Sequence, residues 1–174
     1  MFLRQSIIGG NYGLLRDTYW DKNITDTHTI LANPDYFSAV LFKRHMGNAV
    51  FATVTPTATT DTSGSSVLVF AHCARQHEGG LAVAIINFDT VARPVTIDDA
   101  HIDSSSARMD YIMESAGGEG EGPYSQYAKL NGGSKRLETA ADLIGQKGTG
   151  GASLVLPPQS YGVVVFPEAG VKHC

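Results

Sequence analysis

Apolar and polar positions alternate with a period of two along several short stretches of the chain, and only one stretch carries the signs of a helix. Val67, Val69, Ala71 and Cys73 point one way and Leu68, Phe70 and His72 the other, as in a strand with both faces largely covered. Leu81 to Asn87 is its expected hairpin partner across Gly79-Gly80. Ala49 to Thr55, Val91 to Ile97 and Ala107 to Met113 read as further strands. Asn131-Gly132 marks a tight turn between short strands around Lys129 and Lys135, because both positions tolerate positive φ. Leu154 to Leu156 leads into Pro157-Pro158, and Ser160 to Phe166 is apolar enough for a central strand.

Asn33-Pro34-Asp35 has the order of a helix start: a capping side chain, a proline whose missing N–H costs nothing there, and an acid near the positive end. Tyr36, Phe37, Val40, Leu41, Phe42 and Met46 cover more than one stripe of that helix, Lys43, Arg44 and His45 fall in its last turn, and Gly47 is expected to end it. Before it, Ser6-Ile7-Ile8 runs into Gly9-Gly10 as a short buried strand entering a loop. Polar loops are expected up to Ala32 and over Pro56 to Ser66, Gly117 to Gly122 and Gly145 to Gly151. Many short strands with regular turn signals predict a mainly β protein of the sandwich kind.

Composition narrows the function. The 174 residues are 43% hydrophobic, enough for a sizeable core, and the 19 glycines suit turns between strands. A net charge of −4 with 17% charged residues leaves no basic stripe for phosphates, so nucleic-acid binding is not expected. Apolar runs such as Leu81 to Ile86 and Val163 to Phe166 are far shorter than the roughly 20 residues of a membrane span. Any membrane association would be peripheral. Met1 to Gln5 lacks the basic and apolar regions of a signal peptide, so either the compartment is reducing or the true start lies upstream.

Candidate chemistry is sparse. His72 and Cys73 lie on opposite faces of one strand and cannot easily aim at one metal ion, and no metal or cofactor is expected. Glu78, Glu114, Glu119, Glu121, Glu138 and Glu168 all fall in or beside expected turns, where solvated charge is the default. No two of them fit the paired carboxyl groups of a glycosidase, so no catalytic residue is assigned. Asp98, Asp99 and Asp103 lack the spacing and glycine of a calcium loop. Gly9-Gly10-Asn11-Tyr12-Gly13 offers bare amides and one hydroxyl at a strand end, and reads either as a turn or as a binding loop. Cys73 and Cys174 are two buried thiols or a bridge tying the last residue to the core. Asn23-Ile24-Thr25 is an N-glycosylation acceptor pattern.

The order Arg4-Gln5-Ser6-Ile7-Ile8-Gly9-Gly10-Asn11-Tyr12-Gly13-Leu14-Leu15, then Asn33-Pro34-Asp35-Tyr36-Phe37-Ser38-Ala39-Val40-Leu41-Phe42-Lys43-Arg44-His45-Met46-Gly47, resembles the heparanase and heparanase-like proteins of glycoside hydrolase family 79. Phe70-Ala71-His72-Cys73-Ala74, Ile85-Ile86-Asn87, Lys129-Leu130-Asn131-Gly132, Leu156-Pro157-Pro158-Gln159-Ser160-Tyr161-Gly162 and Phe166-Pro167 continue the resemblance in order.

The resemblance implies a retaining β-glucuronidase acting on glucuronate-containing glycans such as heparan sulfate, with two catalytic glutamates on a (β/α)8 barrel. Both would precede the Arg4-Gln5 block. Residues 1–46 would then be the carboxy-terminal fragment of that barrel, and 47–174 a β-sandwich domain. The family's substrate loop falls on Gly10, Asn11 and Tyr12, and its disulfide on Cys73 and Cys174. Secretion or a lysosome-vacuole compartment follows, which makes glycosylation at Asn23 an expectation. The loop from Arg16 to Ala32 is longer than usual in the family.

Two functions are therefore expected. In the first, the chain supplies a substrate loop and a structural sandwich to an upstream catalytic barrel segment, and is inactive alone. In the second, it is a noncatalytic module binding glycans or a partner through its sandwich face and the Gly10 to Tyr12 loop.

Overall fold

A computed structural model describes residues 13–17, 30–53, 66–117, 125–149 and 151–174 in full, and residues 6–8 by their backbone. Strands β1 (Ser6–Ile8), β2 (Gly13–Asp17) and β3 (Ile30–Ala32) form a three-stranded sheet in the order β1-β2-β3. Helix α1 (Pro34–His45) follows. Then come β4 (Met46–Phe51), β5 (Val67–Ala74), β6 (Leu81–Asn87), β7 (Arg93–Thr96), β8 (Met109–Ser115), β9 (Ala128–Leu130), β10 (Gln146–Lys147), β11 (Ser153–Leu156) and β12 (Ser160–Phe166).

The main sheet is antiparallel in the order β10-β8-β12-β6-β5-β4, with β9 also on β8. The strand expected to be central is central: β12 lies between β6 and β8, with Val163, Val164, Val165 and Phe166 all buried. Its β-branched run suits a pleated surface covered on both sides. One face carries Ala82, Ala84, Val163, Val165 and Met113, packed with Phe37 and Leu41 of α1. Phe37 and Leu41 stand four residues apart, so they share one face of the helix. The other face carries Val83, Ile85, Val164 and Phe166, packed with Leu156, Val95, Ile97 and Leu154. Those last residues belong to or adjoin the antiparallel pair β7–β11.

Several expectations are corrected by tertiary contacts. Helix α1 ends at His45 and β4 begins at the next residue, so that strand starts at Met46 and not at Ala49. Gly47 is therefore no helix terminator. It sits in the irregular stretch of β4, where an added Cβ would come 2.6 Å from the Cys73 carbonyl oxygen. Asn33 occupies the N-cap position without a side-chain cap bond, because its amide donates to Gly13 O at 2.7 Å. Leu68 and Phe70 were expected to be covered, yet they are 41% and 47% exposed. Phe70 pairs with Ala84, so the two side chains share the face that α1 covers further along. Glu114 lies within β8 and not in a turn, and accepts a hydrogen bond from Gly132 N at 2.9 Å.

At the end of α1, the buried His45 ring lies 4.4 Å from the Tyr111 ring. Burial, and after it the charges of Arg44 and His77, pushes His45 from an ordinary value of 6.5 down to about 4. The unfolded chain thus takes up this proton first as pH falls. His45 contributes stability that is complete above about pH 6.5 and is lost progressively toward pH 4. Urea midpoints measured across that window should fall more steeply for the wild type than for His45→Gln, and equal slopes would contradict the assignment.

Candidate functional site

The loop residues Gly10, Asn11 and Tyr12 lie outside the described residues, as does Asn23. The structure does describe what borders the loop. β1 and β2 pair in parallel, Ser6 with Gly13 and Ile8 with Leu15, although only residues 9–12 separate them. The loop exit is tied to the helix start twice, by the Asn33 amide on Gly13 O and by Asn33 N donating to Leu14 O at 2.9 Å. A buried asparagine holding two consecutive loop-exit residues gives this edge a defined position.

The next fixed point is Arg16, only 2% exposed on β2. It donates to Gln126 Oε1, and its guanidinium lies 4.7 Å from the Tyr127 ring centroid. Arg136 lies 4.6 Å from the same ring. Two cations on one half-buried aromatic ring, one buried and one exposed, tie β2 to the segment around β9. The sequence pointed to Asn33 only as a helix cap and gave Arg16 no role. An arginine directly after Leu14-Leu15 in a short strand was the available signal.

Cys73 and Cys174 are bridged, so the last residue is fastened to the end of β5. Among the described residues the carboxylates are dispersed over β2, α1, β8 and the turns. Glu78, Glu138 and Glu168 are exposed. Asp103 is held below its ordinary value by hydrogen bonds from Ser105 and Ser106, and the Asp99 carboxylate accepts from His101 N. These aspartates cap their own bends. Among the described residues no group of three or more His, Cys, Asp or Glu is placed to hold a metal ion. No described helix is long and apolar enough to cross a membrane.

Solved structures that share this fold are glycoside hydrolases. The GH51 α-L-arabinofuranosidase of Thermotoga petrophila matches with a TM-score of 0.55 at 13% identity, over 88% of this chain and 31% of that one. The catalytic domain of GH30 xylanase C from Talaromyces cellulolyticus gives 0.50 at 15% identity, over 92% of this chain and 28% of that one.

In sequence the chain is similar to heparanase and heparanase-like proteins. Heparanase of Bos taurus is 28% identical over 181 residues, covering 99% of this chain and 30% of the relative. Hyaluronoglucuronidase of Hirudo nipponia is 28% identical over 183 residues, covering 99% of this chain and 33% of the relative. Baicalin-β-D-glucuronidase of Scutellaria baicalensis is 36% identical over 88 residues, covering 51% of this chain and 14% of the relative. The chain thus spans a third or less of these relatives' length. No family model matches it.

Proposed function

We propose that this chain is the carboxy-terminal part of a heparanase-like β-glucuronidase, a retaining glycoside hydrolase for glucuronate-containing glycans such as heparan sulfate. The observation that carries the reading is the end-to-end similarity, 99% of the chain, to relatives about three times as long. Residues 1–46 are the last strand, loop and helix of a (β/α)8 barrel, and residues 47–174 are its attached β-sandwich. Catalytic loops of such barrels cluster at the carboxyl ends of their strands. Gly10, Asn11 and Tyr12 follow β1 in that position, so their amides and phenol meet the glucuronate.

The acid and the nucleophile come from the upstream barrel segment, where two carboxyl groups about 5–5.5 Å apart support retention. Within this chain Asn33 and Arg16 hold the loop exit and the adjoining strand. The Cys73–Cys174 bridge and the Asn23 acceptor fit a secreted or lysosome-vacuole protein. Exposed Phe42, Val50, Leu68 and Phe70 support a covering segment, since apolar side chains gathered on one side favour burial.

Co-expression with an upstream segment carrying the barrel and two glutamates tests the reading. The two should co-purify as a complex that hydrolyses a glucuronide. A folded complex without turnover counts against it. Glycan binding by the isolated chain, with no effect of the segment, would instead favour a noncatalytic binding module.

A further inference from the structure

Asn131 and Gly132 form the turn between β9 and the bridge at Arg136, with φ of 51° and 69°. An asparagine before glycine is the chemically most labile pair in a polypeptide. The glycine, lacking a Cβ, lets its backbone nitrogen swing onto the neighbouring carboxamide carbon. Here both reacting groups are held. The carboxamide is clamped on β8, accepting from Ile112 N at 2.8 Å and donating to Asp110 O at 3.0 Å. The Asn131 amide donates to Ile112 O at 2.7 Å. Gly132 N, the would-be nucleophile, donates to Glu114 Oε1 at 2.9 Å.

We infer that Asn131 is a latent deamidation site, kept intact by the fold and released when the turn lifts from β8, with Glu114 as the residue that holds the nucleophile away. Once open, Gly132 N bonds to Asn131 Cγ and the C–N bond to the side-chain nitrogen breaks. Ammonia leaves with the amide proton, and a five-membered succinimide remains. Water then opens either carbonyl, giving aspartate or isoaspartate. The net change is one water consumed and one ammonia released.

The product cannot return to its place. The carboxylate has no N–H for Asp110 O and would face that carbonyl oxygen directly, and isoaspartate adds a backbone carbon to the turn after β9, which displaces Gly132 N from Glu114. Each opening that ends in reaction is therefore kept as an irreversible mark. Gly132 is exposed and Asn131 half-buried, so water reaches the turn.

The test is peptide mapping by mass spectrometry of the purified chain held in mildly alkaline buffer. Deamidation at Asn131 should run at least about tenfold slower in the folded chain than in the same chain in urea, as local opening limits it. Glu114→Ala should raise the folded-state rate about tenfold, the worth of a bond to a charged acceptor, and leave the rate in urea unchanged. Equal rates in folded and urea-unfolded wild type would overturn the inference, and so would a folded Glu114→Ala chain reacting at the wild-type rate. Should that variant fail to fold, the wild-type comparison decides alone.

Discussion

Replacing Cys73 and Cys174 together by serine is expected to lower the unfolding free energy by about 4–5 kcal/mol, the chain-entropy value for a loop near one hundred residues. The bridge closes a sequence separation of 101 residues and encloses every strand from β6 to β12. Without it the terminus keeps only modest anchors: the burial of Ala169 and Val171, and Val171 N on Gly79 O at 2.9 Å. A few such contacts do not hold a chain end against its conformational freedom. Urea unfolding of wild type and variant, each with and without reductant, checks this. The wild type should fall to the variant's midpoint on reduction, and the variant should not respond. A midpoint indifferent to both changes would show that the bridge constrains little.

Arg108→Met carries the second large effect, about 2–3 kcal/mol, because it strips a buried donor from a half-buried carboxylate and from three carbonyls. Arg108 is 3% exposed. Its guanidinium donates to both carboxylate oxygens of Asp110, at 2.6 and 3.0 Å, to Gly151 O, to Ser153 O at 2.8 Å and to Thr149 O at 3.2 Å. One side chain thus fastens the segment from Thr149 to Ser153, and with it the start of β11, to β8. Methionine fills much of the volume but leaves a carboxylate and three carbonyls without this donor. Adding Asp110→Asn should recover part of the loss, since the neutral amide no longer needs a cation. Strictly additive losses in that double-mutant cycle would mean the pair is uncoupled.

Strands β5, β6 and β12 and helix α1 could be read from the chain because their signals are local: period-two alternation, an unbroken β-branched run, and Pro34 behind Asn33. What escaped depends on neighbours far away in sequence. Gly47 is required by the Cys73 carbonyl and not by the helix end. Asn33 turned its amide to Gly13, twenty residues back, and Glu114 left its presumed turn for a strand facing Gly132. Arg108 and Asp110 share a face of the expected strand two residues apart, but the other partners of Arg108 are carbonyls of a glycine-rich segment whose path only the fold defines. The covered faces expected for β5 failed at Leu68 and Phe70 because alternation shows which side chains share a face, not what covers it. The candidate site was read through motif resemblance alone, and Gly10, Asn11 and Tyr12 lie outside the described residues. Only their tethers, Asn33 and Arg16, came from the structure.

The division of labour proposed for this chain places the sugar-binding rim here and the bond-breaking carboxyl pair upstream. Its most direct test is release of a chromogenic leaving group from a β-glucuronide by the purified, folded chain, assayed alone and in complex with the barrel segment. The account predicts background rates for the chain alone and turnover for the complex. Turnover by the chain alone, surviving a second purification, would contradict it.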